Sequence, residues 1–454
     1  MRDAAMSAIS IEGARVLVVG MARSGTAAVE LLVEKGAHVR ATDDKAKAPP
    51  RLAELGVEFA PQSPAVFEGV DLIVISPGVP ADLPELETAQ RRGASVIGEL
   101  ELASYYLQGK TIGITGSNGK TTTTAMAGHI LREAGIPAQV GGNIGTPPAA
   151  MVRSSRPGQW NVLELSSFQL ETIGRFRAEI GVALNVTPDH LDRHHSFEAY
   201  AAAKARLFET QSPGDFAVLN ADDATCVSYA ALTTGTAVWF SLARPVAPGA
   251  WLDENRILFD GLEFLDASEI PLRGRHNVEN TMAASAAAHL AGASLGAIAS
   301  AVKTFPGVEH RLEFVREIGG VEYYNDSKAT NVDATLKAIQ AFPGRLWIIL
   351  GGKDKGSDYA PLRDPLRQKA LAALLIGAAA GKIESQIRGA APAIRCGTLP
   401  AALDIARWRA QAGDTVLLAP ACASFDQFDN YEHRGRVFKQ LVQEIARGGG
   451  WHNG

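Results

Sequence analysis

The sequence predicts an α/β protein built on parallel sheets, and three observations predict it. Short apolar runs alternate with helix-favouring segments along the chain, the pattern of strand–helix–strand units. Most of these runs end in Gly-rich or polar turns, where open α/β sheets hold their ligands. The 454 residues exceed what a single core accommodates, so two to three domains are expected.

The first unit opens with the strand Arg15–Val19, a turn from Gly20 to Gly25 and a helix to about Lys35. Strands His38–Thr42, ending in Asp43-Asp44, and Asp71–Ile75, ending in Ser76-Pro77-Gly78, follow. This order resembles a Rossmann-like unit with an acidic residue after its second strand, although the Gly20…Gly25 pair is an incomplete fingerprint. A second domain is expected from about Glu101, with strands at 111–115, 160–165, 180–185 and 216–219 and a β meander over 237–265. Gly274-Arg275-His276-Asn277 and one long Ala-rich helix, Thr281–Val302, come next. A third domain starts around Phe305-Pro306-Gly307, with strands at 346–350, 372–376 and 415–419.

Composition narrows the function classes. Hydrophobic residues at 46% and charged residues at 20% fit a soluble globular enzyme. A net charge of -5 argues against a general nucleic-acid binder, which needs a basic excess to neutralise phosphates, and leaves room for a local basic pocket for a small anion. Cys226, Cys396 and Cys422 are odd in number and irregularly spaced, so they read as buried or incidental thiols. Met1–Gly13 lacks a basic-then-apolar leader pattern, and Thr281–Val302 is too weakly apolar to span a bilayer; a cytoplasmic location is the expectation.

The most informative stretch is Gly113-Ile114-Thr115-Gly116-Ser117-Asn118-Gly119-Lys120-Thr121-Thr122. It joins an apolar strand to a helix. Its glycines let the backbone approach a phosphate, and the N–H groups of the loop and helix end point at the anion. Lys120 can reach the terminal phosphates, and the Thr121 hydroxyl can ligate Mg²⁺. Ile114 stands where the strict P-loop pattern has its first glycine, which leaves G-x-x-G-K-T; a nucleoside triphosphate is the expected ligand.

Other polar groups end apolar strands. Glu164 needs a positive partner if buried, either phosphate-bound Mg²⁺ or an arginine. Asp189, His190 and Asp192 are metal- or phosphate-ligand candidates, with His190 favoured, while His194 and His195 are expected to face solvent. Lys204 reads by itself as a solvated helix lysine. Arg311, after His310, can clamp a transferring phosphoryl group. Asp326 can hold a ribose and Lys328 a carboxylate. The loops Leu350–Gly356 and Pro420–Phe428 present lysines and a hydroxyl to an acidic substrate, or are simply solvated.

Taken together, these motifs resemble the Mur ligase family of ATP-dependent amide-bond-forming enzymes. The resemblance rests on Thr115–Thr122, Glu164-Leu165-Ser166-Ser167-Phe168-Gln169-Leu170, Asn185–Asp192, Gly274–Asn280 and Asn325–Asn331, and covers nearly the whole chain. The run Pro420–Phe428 is most similar to the branch that adds D-glutamate to UDP-N-acetylmuramoyl-L-alanine in cytoplasmic peptidoglycan precursor synthesis. The resemblance implies a UDP-binding Rossmann-like domain over 1–100, a central P-loop ATPase-type domain over 101–306, and a C-terminal Rossmann-like ligase domain over 307–454 that binds the amino acid. It implies ATP and Mg²⁺ as cofactors and a monomer, while charge and composition point to no nucleic acid and no membrane span.

The resemblance also assigns residues. Gly116, Ser117, Asn118, Gly119, Lys120, Thr121 and Thr122 would hold the ATP phosphates, and Asn280, Arg311 and Asp326 other parts of the nucleotide. Thr121 and Glu164 would ligate Mg²⁺, and His190 a second Mg²⁺. Lys204 matches a lysine carbamylated by CO₂, which converts an ammonium into an anion fit for a metal site. Asp43, Ser76, Gly78, Asn143 and Ser166 match contacts to the UDP-substrate. Lys328, Thr330, Lys355, Ser424 and Tyr431 surround the incoming glutamate, with Tyr431 standing where Phe is expected and Asp44-Lys45 departing from the uracil-loop pattern. Three rivals remain open at this point: a folylpolyglutamate synthase, a family member adding another amino acid, and a nucleotide-gated switch without ligase chemistry.

Overall fold

The computed structural model describes residues 10–44 and 48–447, and three α/β sheets organise them. The first has the order β3-β2-β1-β4-β5, from β1 (Arg15–Val19), β2 (His38–Asp43), β3 (Glu58–Pro61), β4 (Leu72–Ile75) and β5 (Ser95–Gly98). All its neighbours pair parallel. The strand order reverses between β1 and β4, and that switch point opens a crevice at their carboxyl ends.

The second sheet has nine strands: β6 (Lys110–Thr115), β7 (Ala138–Gly142), β8 (Trp160–Glu164), β9 (Ile180–Ala183), β10 (Phe216–Asn220), β11 (Thr236–Ser241), β12 (Gly249–Asp253), β13 (Arg256–Phe259) and β14 (Leu262–Asp266). Its order is β14-β13-β12-β11-β10-β9-β6-β8-β7. Only β12–β14 form an antiparallel meander; β11, expected within it, instead pairs parallel with β12. The third sheet has the order β15-β16-β20-β17-β18-β19, from β15 (Glu313–Ile318), β16 (Val321–Asn325), β17 (Leu346–Gly351), β18 (Ala370–Ile376), β19 (Ala393–Gly397) and β20 (Thr415–Leu418).

By packing, the chain divides into two units. The first runs through Glu269 and takes back Glu279–Thr304; the second comprises Ile270–Val278 and Phe305 onward. The first two sheets share a unit, and the apolar cluster under the first sheet extends onto the helices Glu99–Ser104 and Pro148–Met151. Val16, Val18 and Val74 of the first sheet pack with Leu102, Ala103 and Ala149. The helix Glu99–Ser104 carries this junction, and its buried Glu101 accepts from the backbone N–H groups of Gly174, Arg175 and Phe176.

The expected single helix over Thr281–Val302 is two helices, Arg275–Leu290 and Leu295–Lys303. Gly292 at φ 111° stops the first, and the Ser294 hydroxyl caps the second by accepting from the Ala297 N–H. The three thiols are free, with Cys226 and Cys422 buried. No helix among the described residues is long and apolar enough to cross a membrane.

Glu99, beside Glu101, makes one bond, from the Ala149 N–H at 2.6 Å, and its second carboxylate oxygen is buried without a partner. Burial pushes its pKa up from 4.5 to about 8. Between those values the native protein keeps a proton that the unfolded chain releases, so stability falls as pH rises through the window, by about 1.4 kcal/mol per pH unit. Glu99→Gln keeps the acceptor and removes the titration. The variant is expected to melt above the wild type at pH 8, with the gap closing towards pH 4.5; a gap independent of pH would contradict the assignment.

Candidate active site

The strand-to-helix turn after β6 is fixed by the next strand over. Gly116–Gly119 lead into the helix Lys120–Glu133. From the segment after β9, the Asn185 side chain accepts from the Asn118 N–H at 2.9 Å and donates to the Asn118 carbonyl at 3.1 Å. The Ser117 hydroxyl donates to the Thr187 carbonyl at 2.9 Å and lies 3.0 Å from the Tyr200 hydroxyl. The loop is therefore braced before any anion arrives.

Two lysines converge on one oxygen. Lys120 Nζ donates to the carbonyls of Gly116 at 2.8 Å and Ser117 at 2.9 Å. Lys204 Nζ, on the helix Phe197–Glu209, donates to the same Gly116 carbonyl at 2.8 Å. Lys204 is not the solvated lysine its own context predicts; it is 1% exposed, with its ammonium over the Tyr200 ring. Burial, reinforced by Lys120, lowers its pKa well below 10.5, against the opposing pull of Asp189, Cys226 and Glu164.

Glu164, the last residue of β8, is 2% exposed. Its oxygens accept from the Thr121 hydroxyl at 2.7 Å and the Asn143 amide at 3.0 Å, both neutral donors. A hydroxyl and a carboxylate at a phosphate loop form the hard-oxygen core that suits Mg²⁺, which takes one or two protein ligands and fills its shell from phosphates and water. Among the described residues no group of three or more His, Cys, Asp or Glu is placed to hold a metal. Asn280 lies beside this core, 3.4 Å from the Thr123 hydroxyl.

His190 caps the short helix Leu191–His194 with left-handed backbone, φ 52°. Its side chain is 51% exposed, near Asp189, with its ring edge-on to Phe168. His195 is exposed as expected, but His194 is not. His194 is buried because it stacks on Phe168 and bonds the Ser167 hydroxyl at 2.9 Å and Glu171 at 3.0 Å. The side chain of Asp192 and all of Lys45 lie outside the described residues. The Ser166 hydroxyl closes a capping box with Gln169 at the helix Ser167–Leu170, so its polar group organises that turn.

A cavity of about 680 Å³ lies at the carboxyl ends of β1 and β4, lined by Gly20, Met21, Arg23, Ser24, Asp43, Asp44, Ser76, Gly78, Asn143 and Gln169, among others. It brings together four expected substrate contacts. Asp43 accepts from the Met21 N–H at 2.5 Å, and Ser76 donates to the Gly20 carbonyl at 2.7 Å. The sequence reading missed Arg23, although it opens the helix after β1, where an anion is favoured.

In the second unit, Asp326 is fully buried, 3.5 Å from Arg311, with its second oxygen unpartnered. Burial raises its pKa against Arg311. Lys328 lies over the Tyr431 ring, and its N–H donates to the His310 carbonyl at 3.1 Å. Only the backbone of Thr330 is placed by a bond, from its N–H to the Lys328 carbonyl. Ser424 is buried and Lys355 exposed. The loops after β17 and β20 are paired to each other, not simply solvated: the Lys353 N–H donates to the Ala423 carbonyl at 2.9 Å. Arg434, also unforeseen, is fully buried and donates to the Ser327 hydroxyl and carbonyl, each at 2.9 Å, and to the Cys422 carbonyl at 3.2 Å. It ties the Lys328 loop to the Ser424 loop.

A phosphate loop with a buried carboxylate and two lysines, set in a parallel sheet, defines a nucleoside-triphosphate-using enzyme. The chain matches the MurD-like N-terminal domain of Mur ligases over residues 14–98, the Mur ligase middle domain over 114–288 and the Mur ligase glutamate ligase domain over 310–422. It belongs to the Mur ligase family, the ATP-dependent ligases that form amide bonds. It is 64% identical to the UDP-N-acetylmuramoylalanine–D-glutamate ligase of Solibacter usitatus, over 96% of this chain and 99% of that one. It is 52% identical to the enzyme of the same name from Acidobacterium capsulatum, over 98% and 99% of the two chains. The solved UDP-N-acetylmuramate-alanine ligase MurC of Thermotoga maritima shares the fold, with a TM-score of 0.62 at 19% identity over 95% of this chain and all of that one.

Gly119 has φ 87°, and a Cβ there would sit 2.2 Å from Asn280 Oδ1. Gly119→Ala combines roughly 1–2 kcal/mol of left-handed backbone strain with displacement of Asn280. Calorimetric titration of the folded variant should show ATP affinity reduced at least about tenfold; unchanged affinity would mean the turn does not seat the nucleotide.

Proposed function

We propose that this chain adds D-glutamate to UDP-N-acetylmuramoyl-L-alanine, as a cytoplasmic monomer, with residues 1–100 taking the UDP moiety, 101–306 ATP and 307–454 the amino acid. The observation that carries the reading is the match to D-glutamate ligases along nearly the whole chain, with Lys120, Thr121 and Glu164 gathered at its phosphate loop. The cavity beside Asp43, Ser76 and Gly78 supports a nucleotide-sugar acceptor, and the Rossmann-like first domain ahead of the phosphate loop argues against a pteridine one.

The acceptor's terminal carboxylate attacks the γ-phosphorus of ATP, giving an acyl phosphate and releasing ADP. The amine of D-glutamate adds to the acyl carbon, gives up a proton, and the tetrahedral intermediate expels inorganic phosphate. A free carboxylate is a poor electrophile, so activation must precede the amine. Lys120 and Arg311 offset charge on the transferring phosphoryl oxygens. When bound, Mg²⁺ at Thr121 and Glu164, with His190 toward a second ion, supplies further charge neutralisation.

Lys204 reacts as a neutral amine with CO₂ to form a carbamate and a proton, and its lowered pKa supports the neutral form. The anion then stands beside Lys120. Asn280 and Asp326 serve the nucleotide, Asn143 and Ser166 the acceptor, and Lys328, Thr330, Lys355, Ser424 and Tyr431 the glutamate.

Product mass spectrometry with ATP, UDP-N-acetylmuramoyl-L-alanine and a panel of D-Glu, L-Glu, L-Ala and meso-diaminopimelate tests the reading. One new amide product is expected, with D-glutamate only. A product with another amino acid, or ATP hydrolysis indifferent to both co-substrates, overturns it.

A further inference from the structure

The turn Ser76–Val79 carries two of the acceptor contacts and has few means of holding itself in place. Pro77 within it and Pro80 after it donate nothing from their backbone. Its one internal bond runs from the Val79 N–H to the Ser76 carbonyl, at 2.9 Å. The carbonyls of Gly78 and Val79 are met from elsewhere: Arg193 donates to Val79 O through Nη2 at 2.8 Å and lies 3.5 Å from Gly78 O through Nη1.

Arg193 is itself held. Its guanidinium sits 4.9 Å from the Phe168 ring centroid, and Nη2 lies 3.5 Å from Glu171. The other Glu171 oxygen holds His194 at 3.0 Å, and His194 stacks on the same Phe168. Arg206 donates to the Glu171 carbonyl. With 18% of its side chain exposed, Arg193 is a packed strut, not a surface arginine. It lies in the helix Leu191–His194, whose first residue follows His190.

We propose that Arg193 is a positioning residue for the acceptor: its fork locks the Ser76–Val79 turn, at the rim of the nucleotide-sugar cavity, to the helix behind His190. The proposal rests on the acceptor assigned above. A planar fork meets two carbonyls and a carboxylate together, which an ammonium cannot do.

The test uses full-length Arg193→Ala, Arg193→Lys and Glu171→Gln. Arg193→Ala should raise KM for UDP-N-acetylmuramoyl-L-alanine at least about tenfold, with KM for ATP and D-glutamate within about twofold of wild type. Arg193→Lys should restore part of the loss, and Glu171→Gln should show a smaller shift in the same substrate alone. Titration with UDP alone should weaken in parallel in the Ala variant. A muramoyl KM and UDP affinity that do not move overturn the proposal. So does an equal rise in all three KM values with a lowered Tm, which assigns Arg193 to stability only. A wild-type enzyme that binds UDP but makes no D-glutamate product sinks the functional reading instead, and the UDP titration of Arg193→Ala still decides the role of Arg193.

Discussion

The site depends on a conflict of charge: two lysine side chains share one backbone oxygen. Lys120 and Lys204 each lie 2.8 Å from the Gly116 carbonyl, so their nitrogens are no farther apart than the sum of those distances. Two ammoniums that close repel by roughly 3 kcal/mol or more at an effective dielectric constant of about 20. Lys204 is also stripped of water, and desolvation penalises its charge further. One carbonyl cannot balance two cations. The arrangement favours a triphosphate at Lys120 and loss of the proton at Lys204, which leaves a neutral amine.

The fold supplies this arrangement through parallel strands whose carboxyl ends line up. β6 delivers the phosphate loop, β8 delivers Glu164, and the segment after β9 braces the loop through Asn185 and Thr187. Because neutral groups hold both Glu164 oxygens, its charge remains available for a hard cation. In the second unit Arg434 plays a comparable organising part, its buried fork spanning the two loops that carry Ser424 and Lys328.

The strands that line the site were legible because they are apolar runs ending in glycine or acid, as Lys110–Thr115 and Trp160–Glu164 show. Glu58–Pro61 and Ala138–Gly142 went unseen; they are short and only partly buried, and edge strands carry little apolar signal. The Ala-rich stretch hid its break, since alanine favours helix on both sides and Gly292 alone marks the stop. Among site residues, Lys120, Thr121 and Glu164 follow from local pattern. Lys204 followed only from family resemblance, because helix periodicity does not reveal which lysine another element will bury. His194 and Arg434 were misjudged or missed for the same reason: their partners, Glu171 and Ser327, lie 23 and 107 residues away.

The central claim, that the buried amine at Lys204 becomes an anion, has a direct spectroscopic test. With ¹³C-labelled bicarbonate, the wild-type enzyme is predicted to give a carbamate carbon resonance that disappears in Lys204→Ala, and that strengthens when ATP and Mg²⁺ fill the phosphate loop. A fully active enzyme with no such resonance, or a resonance unchanged in Lys204→Ala, would contradict the account.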